Sequence, residues 1–225
     1  MYSAFPMNML PAILATLLFL SACGGGSAEA RAQYEQAVKM LQGVGVAQDT
    51  EKGLVLLRKA AAGKNPEAEV MLGFFLMKGD SGVEQDQKKA MQLFLDAARQ
   101  GNRDAQYNAG LAFVRAQGTE ENYESAVRWF TAAALQNDPG AQYNLGVMYL
   151  SGEGTVKDAL TAYAWFSIAK ENGFEGAEEA KASARKEMTS DEAKNIDSTI
   201  ASLKSKIVKP KDSGIRLESH TEQSL

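Results

Sequence analysis

The chain has 225 residues, 45% of them apolar and 23% charged, with a formal net charge of −4. That is enough apolar material for one or two folded domains, and the small negative charge gives no electrostatic attraction for nucleic acid or anionic lipid, so neither is expected as a partner. One histidine and one cysteine leave no means of building a His/Cys metal cluster or a Ser-His-Asp triad, so no metal or cofactor is expected.

In chain order, residues 1–22 carry no charged side chain, and "LPAILATLLFLSA" (10–22) is an apolar run that closes on small residues. It is short for a membrane span, which needs ~20 apolar residues, and has the length of a signal-peptide core. Leu20-Ser21-Ala22-Cys23 resembles the bacterial lipobox. That resemblance implies a signal peptide over 1–22, an acylated Cys23, and a flexible Gly-rich tether over 23–29. Gly24 behind the cysteine resembles the outer-membrane sorting signal of Gram-negative bacteria. The expected location is therefore the bacterial envelope, lipid-anchored at the outer membrane and facing the periplasm. "MYSAFPMNM" lacks the Lys or Arg usual at the start of a signal peptide; left uncleaved, the segment would serve as an anchor.

From residue 30 the sequence repeats itself. "AQYNAG" (105–110) and "AQYNLG" (141–146) agree at five of six positions and start 36 residues apart. Ala68, Ala105, Ala141 and Ala177 keep that beat, as do Gly73, Gly110 and Gly146. So do Ala60, Ala97, Ala133 and Ala169, and so do Leu57, Phe94, Phe130 and Phe166. One extra residue in "GDSG" (79–82) lengthens a single step to 37. Each unit is predicted to hold two helices. Asn65, Asn102 and Asp138 stand where the first helix of a unit needs an N-cap acceptor, and Asp49, Asp86, Asn122 and Asp158 do so for the second. Pro66 and Pro139 fall at the first helical position, where a missing N–H costs nothing. A helical pair this thin cannot enclose its own apolar face, so neighbouring pairs must share a core. The expected fold is all-α: an α-solenoid of about four stacked antiparallel helix pairs over 30–67, 68–104, 105–140 and 141–177.

"AQYNLGVMYLSGEGTVKDALTAYAWFSIAKENGFEGA" (141–177) resembles a Sel-one-like repeat (SLR), a cousin of the tetratricopeptide repeat. Ala141, Leu145-Gly146, Tyr149, Gly152, Gly154, Asp158, Ala162, Trp165-Phe166, Ala169 and Ala177 meet the family pattern. The first unit departs from it, with Ala37 in place of Gly and Gly53 in place of Ala, and reads as an N-terminal cap. The resemblance implies a non-enzymatic lipoprotein scaffold whose first helices line a concave groove. "TSDE" (189–192) spells a capping box and is expected to open a helix running to about Lys206, so that 178–207 caps the array. Residues 208–225 have too little apolar content to fold and read as a disordered tail.

Asn108 and Asn144 interrupt the apolar spacing of their helices, where Asn is a mediocre residue. Two readings are open: each amide satisfies a loop carbonyl of the adjacent unit, or it hydrogen-bonds a partner's backbone in the groove. On the second reading Gln106, Gln142, Tyr107, Tyr143, Arg115 and Met148 are neighbours on or beside that face. The expected partner is an envelope protein or peptide, reached from a membrane through the lipid anchor. The alternative is a peptidoglycan or polysaccharide module with Tyr and Trp as stacking platforms, although Tyr149, Trp129 and Trp165 fall in core positions. "SIAK" (167–170) and "SARK" (183–186) match the S-x-x-K spelling of a nucleophile, but Ser167 and Lys170 occupy ordinary repeat-helix positions. His220 lies in the tail, and Glu120, Glu121 and Glu124 read as a solvated turn.

Overall fold

The computed structural model describes residues 26–208. The apolar leader, Cys23, His220 and the tail from residue 209 lie outside them. Eleven helices are described: α1 (Ala28–Gln42), α2 (Thr50–Ala62), α3 (Pro66–Lys78), α4 (Gln87–Arg99), α5 (Arg103–Val114), α6 (Tyr123–Leu135), α7 (Pro139–Ser151), α8 (Ala159–Glu171), α9 (Ala177–Glu187), α10 (Ser190–Ala193) and α11 (Ile196–Lys206). The chain forms two compact units. Among the described residues, one ends at Phe130 and takes in Glu153–Thr155; the other spans Thr131–Gly152 and Val156–Val208. The class is the all-α solenoid of paired helices.

Local chemistry sets the ends of the helices. Asp49, Asn65, Asp86, Asn102, Asn122, Asp138 and Asp158 each accept from the backbone N–H three residues on, at 2.7–3.0 Å. One of the four orphan donors of each helix start is thereby satisfied. The turn inside each pair repeats as well. The N–H groups of Asp49, Asp86, Asn122 and Asp158 donate to the carbonyls of Met40, Leu76, Phe113 and Tyr149. The connection between pairs needs one left-handed residue, supplied in turn by Lys64, Gly101, Asn137 and Gly173.

Within the first unit α1–α2, α3–α4 and α4–α5 are packed neighbours; within the second, α8 packs on α7, α9 and α11. The recurring aromatic position is the centre of each pair: Leu57, Phe94, Phe130 and Phe166 are all buried. Opposite each Phe stands a glycine. A Cβ on Gly73, Gly110 or Gly146 would lie 2.6–2.7 Å from the ring of Phe94, Phe130 or Phe166 respectively. In the first pair Ala37 and Leu57 are both fully buried in one core cluster. A larger residue on the first helix thus accompanies a smaller one on the second. Gly53 makes room in turn for Leu41, whose Cγ would be 2.8 Å from an added Cβ.

Three boundaries differ from the sequence-based expectation. Helix α1 begins inside the expected tether, because Ser27 Oγ accepts from Ala30 N at 3.1 Å and caps it. The helix opened by Thr189 does not run through to Lys206. Its capping box forms, but Lys194 N and Asn195 N bond carbonyls only three residues back and Asn195 Nδ2 takes the Asp191 carbonyl. This tightened turn ends α10, and α11 restarts at Ile196. Finally, Val208 is anchored at the start of the expected tail, its N–H donating to Leu135 O at 2.7 Å. It satisfies one of the orphan carbonyls at the end of α6.

Candidate functional site: the outward faces of the first helices

The first helices of successive pairs are α1, α3, α5 and α7. On α5 the residues Asn108, Leu111 and Arg115 follow at i, i+3 and i+7 and so share one face; the matching face of α3 carries Met71, Phe74 and Lys78. On α7, in the second unit, Asn144, Val147 and Ser151 hold the same positions. Phe74 and Val147 are exposed large apolar side chains, at 42% and 37% of their surface. Arg115 is also exposed, at the C-terminal end of α5, where its N–H still reaches Leu111 O.

The asparagines do not reach a loop of the adjacent unit. Asn108 Nδ2 donates to Asp104 O at 2.7 Å and Asn144 Nδ2 to Gly140 O at 2.9 Å, so each bonds its own helix four residues back rather than a neighbouring loop. Both side chains are half-exposed. Their amide oxygens accept no hydrogen bond from a described residue and remain available as acceptors.

The glutamines lie elsewhere. Gln106 is 7% exposed and donates to Ala98 O at 3.2 Å; Gln142 is 0% exposed and donates to Ala134 O at 3.3 Å. In both, the amide ties a first helix to the end of the second helix before it. Gln142 is further held by Asn137 and accepts from Asn172 Nδ2 at 2.8 Å. Tyr107 and Tyr143 are half-buried and lean on the recurring aromatic position, with ring centroids 6.0 Å from Phe130 and 5.4 Å from Phe166. Tyr143 also stacks on Phe174. Their counterpart on α1, Tyr34, is buried. Burial, reinforced by the Glu67 and Asp104 carboxylates, pushes its hydroxyl up to about 12 and keeps it neutral. Met148 is buried.

The aromatic and S-x-x-K positions are committed to the repeat helices too. Trp165 is buried, and Trp129 and Tyr149 pack against core clusters. Ser167 Oγ donates to Tyr163 O and Ser183 Oγ to Glu179 O, each bonding its own helix, while Lys170 pairs with Glu178. The Glu178 carboxylate holds the Lys170 ammonium above its usual range. The cleft of about 700 Å³ between Gln85–Lys88 and Ala116–Glu120 includes Asp86, whose carboxylate is committed to capping α4. Among the described residues no group of three His, Cys, Asp or Glu could hold a metal ion, and no helix is long and apolar enough to cross a membrane.

Paired helices with caps, glycine sockets and amide ties in 36-residue register define a helical-repeat scaffold. The Sel1 repeat family model matches residues 30–65, 66–102, 103–138 and 139–174, which is more than half of the chain. The chain belongs to the Sel1 repeat family. Sel1 repeats mark a protein–protein interaction scaffold, and proteins built of them are typically non-catalytic. No curated protein matches the chain. Among solved structures it is similar to a Sel1 repeat protein from Oxalobacter formigenes, at 27% identity and a TM-score of 0.63, covering 77% of this chain and 73% of that one. It also resembles in fold a protective antigen present in uropathogenic Escherichia coli strains, which displays an SLR fold. There the identity is 24% and the TM-score 0.54, over 79% of this chain and 46% of the antigen.

Proposed function

We propose that the chain is an envelope scaffold, held to a membrane through acylated Cys23, that binds a peptide or a subunit of an envelope complex on the outward faces of its first helices. The observation that carries this reading is the character of those faces. Phe74, Leu111 and Val147 recur there as exposed or half-exposed apolar residues beside polar groups, the Phe74 ring also meeting Phe94 edge-on. On α5 and α7 those polar groups are the amide oxygens of Asn108 and Asn144, half-exposed acceptors suited to a partner's backbone N–H. Arg115 adds a charge at the end of α5. Apolar anchors beside hydrogen-bonding groups are the composition of a peptide-holding surface.

Acylation would add no contact. It would confine the chain near other envelope proteins and raise their effective concentration. "LSAC" followed by glycines, in a chain whose sole cysteine is Cys23, supports the anchor. A single lipid chain gives marginal attachment, so stable anchoring needs more than one acyl chain on that residue. Metabolic labelling with an acyl analogue, together with membrane fractionation of the wild type and Cys23→Ser, tests the anchor. Label and membrane retention that survive the substitution would refute it.

A further inference from the structure

At one junction, three positions that are neutral in the later repeats become charged together. Glu69 on α3 occupies the position of Gln106 and Gln142 on α5 and α7. Lys64 occupies the left-handed position of Gly101, Asn137 and Gly173. Asp96 on α4 stands where Ala132 and Ile168 do. Lys64 has φ 61, a backbone conformation that L side chains other than Asn and Asp rarely adopt. Its ammonium bridges Asp96 Oδ2 at 2.8 Å and Glu69 Oε1 at 3.4 Å.

Glu69 is 0% exposed. Its Oε2 accepts from Gln100 Nε2 at 2.8 Å, but Oε1 accepts no hydrogen bond from any described residue. A glutamine in this position spends its N–H on a carbonyl eight residues back: Gln106 on Ala98 O, Gln142 on Ala134 O. The matching carbonyl for Glu69 belongs to Ala61, which already accepts from Lys64 N at 3.0 Å as Ala98 does from Gly101 N and Ala134 from Asn137 N. An ionised carboxylate has no hydrogen to offer it. A protonated one does.

The geometry points to Glu69 as the proton-binding group of an acid-tightened latch between the end of α2 and α3. Ionised, Glu69 is held from outside by Lys64 and leaves Ala61 O without the bond its counterparts receive. Protonated, its O–H supplies that bond, the carboxyl becomes the equivalent of Gln106 and Gln142, and Lys64 is left to Asp96. The charged groups acting on Glu69 are Lys64, in the connection before α3, and Asp96, on α4; Gln100 is neutral. Burial outweighs the Lys64 ammonium and raises the carboxyl above the usual carboxylate range.

The direction follows from linkage. The fold holds this proton more tightly than the unfolded chain does. The contribution of Glu69 therefore improves as pH falls through its folded value and is complete below about 4.3, the unfolded glutamate value. Above the folded value it is a constant penalty.

Titration of the Glu69 carboxyl carbon by NMR in the intact chain should give a midpoint above that of free glutamate. Lys64→Met should raise it further, which a purely structural role for Lys64 would not do. Glu69→Gln, fixing the neutral form, should melt above wild type at pH 7.5, with the gap closing toward pH 4.5. A midpoint at or below the free value, or a gap independent of pH, would overturn the latch. If Glu69→Gln does not fold, the titration of the unaltered chain decides.

Discussion

Gly146 faces Phe166 so closely that an added Cβ would lie 2.7 Å from both Cδ1 and Cε1 of the ring. The ring is fully buried and also packs against Tyr143, one turn before Gly146 on α7, so it has little freedom to withdraw. Gly146→Leu should cost on the order of 1–3 kcal/mol or more through overpacking. The first repeat indicates how the cost is offset, since it has Ala37 and Leu57 in these places. In a double-mutant cycle, Gly146→Ala and Phe166→Leu should each destabilise, while the pair together should cost less than their sum by at least about 0.5 kcal/mol. Additive melting data would mean that the two positions do not share one space.

Ala116 is the odd member of the position that ends each first helix. Gly43, Gly79 and Gly152 occupy it elsewhere, all left-handed, and Ala116 takes φ 53 despite its Cβ. Left-handed backbone costs an L residue roughly 1–2 kcal/mol, partly offset by the greater freedom of glycine in the unfolded chain. Ala116→Gly should therefore stabilise by about 0.5–1 kcal/mol, and Gly152→Ala should destabilise. Chemical denaturation of both variants measures the two signs; a destabilised Ala116→Gly would show that no strain is stored there.

Asn108→Ala and Asn144→Ala separate folding from binding. Each removes only a half-exposed bond to the helix's own backbone and gains a residue with a better helix propensity by up to roughly 0.7 kcal/mol. The double variant should melt at or above wild type. Capture of the partner should weaken. A collapse in thermal stability would make these residues structural.

Much of this was legible because a repeat multiplies every signal. Seven cap acceptors, two N1 prolines and the small-residue positions each recur, and a pattern repeated at fixed intervals overrides the ambiguity of any single helix. The family and the all-α class follow from the same positions. What the sequence hid were contacts that depend on direction around a helix. Gln106 and Gln142 read as partners of the outward face, yet their amides close onto carbonyls eight residues earlier, across the break between two helices. Of the two readings of Asn108 and Asn144, the bridge to an adjacent unit does not form, because each amide folds back on its own turn. The break at Lys194–Asn195 was also invisible, because a capping box announces where a helix starts and says nothing about how far it runs. The Lys64–Glu69–Asp96 cluster lay in three different repeat positions, and only their proximity makes them one feature.

The central claim is that the outward faces of the first helices hold a protein. It is tested most directly by placing a photoreactive side chain at position 111 or 147 in living cells, with position 128, an exposed site on a second helix, as control. Defined crosslinks to the same protein from 111 and 147, absent from 128, are the predicted result. Crosslinks that are missing from the first helices, or equally strong from 128, would contradict the account.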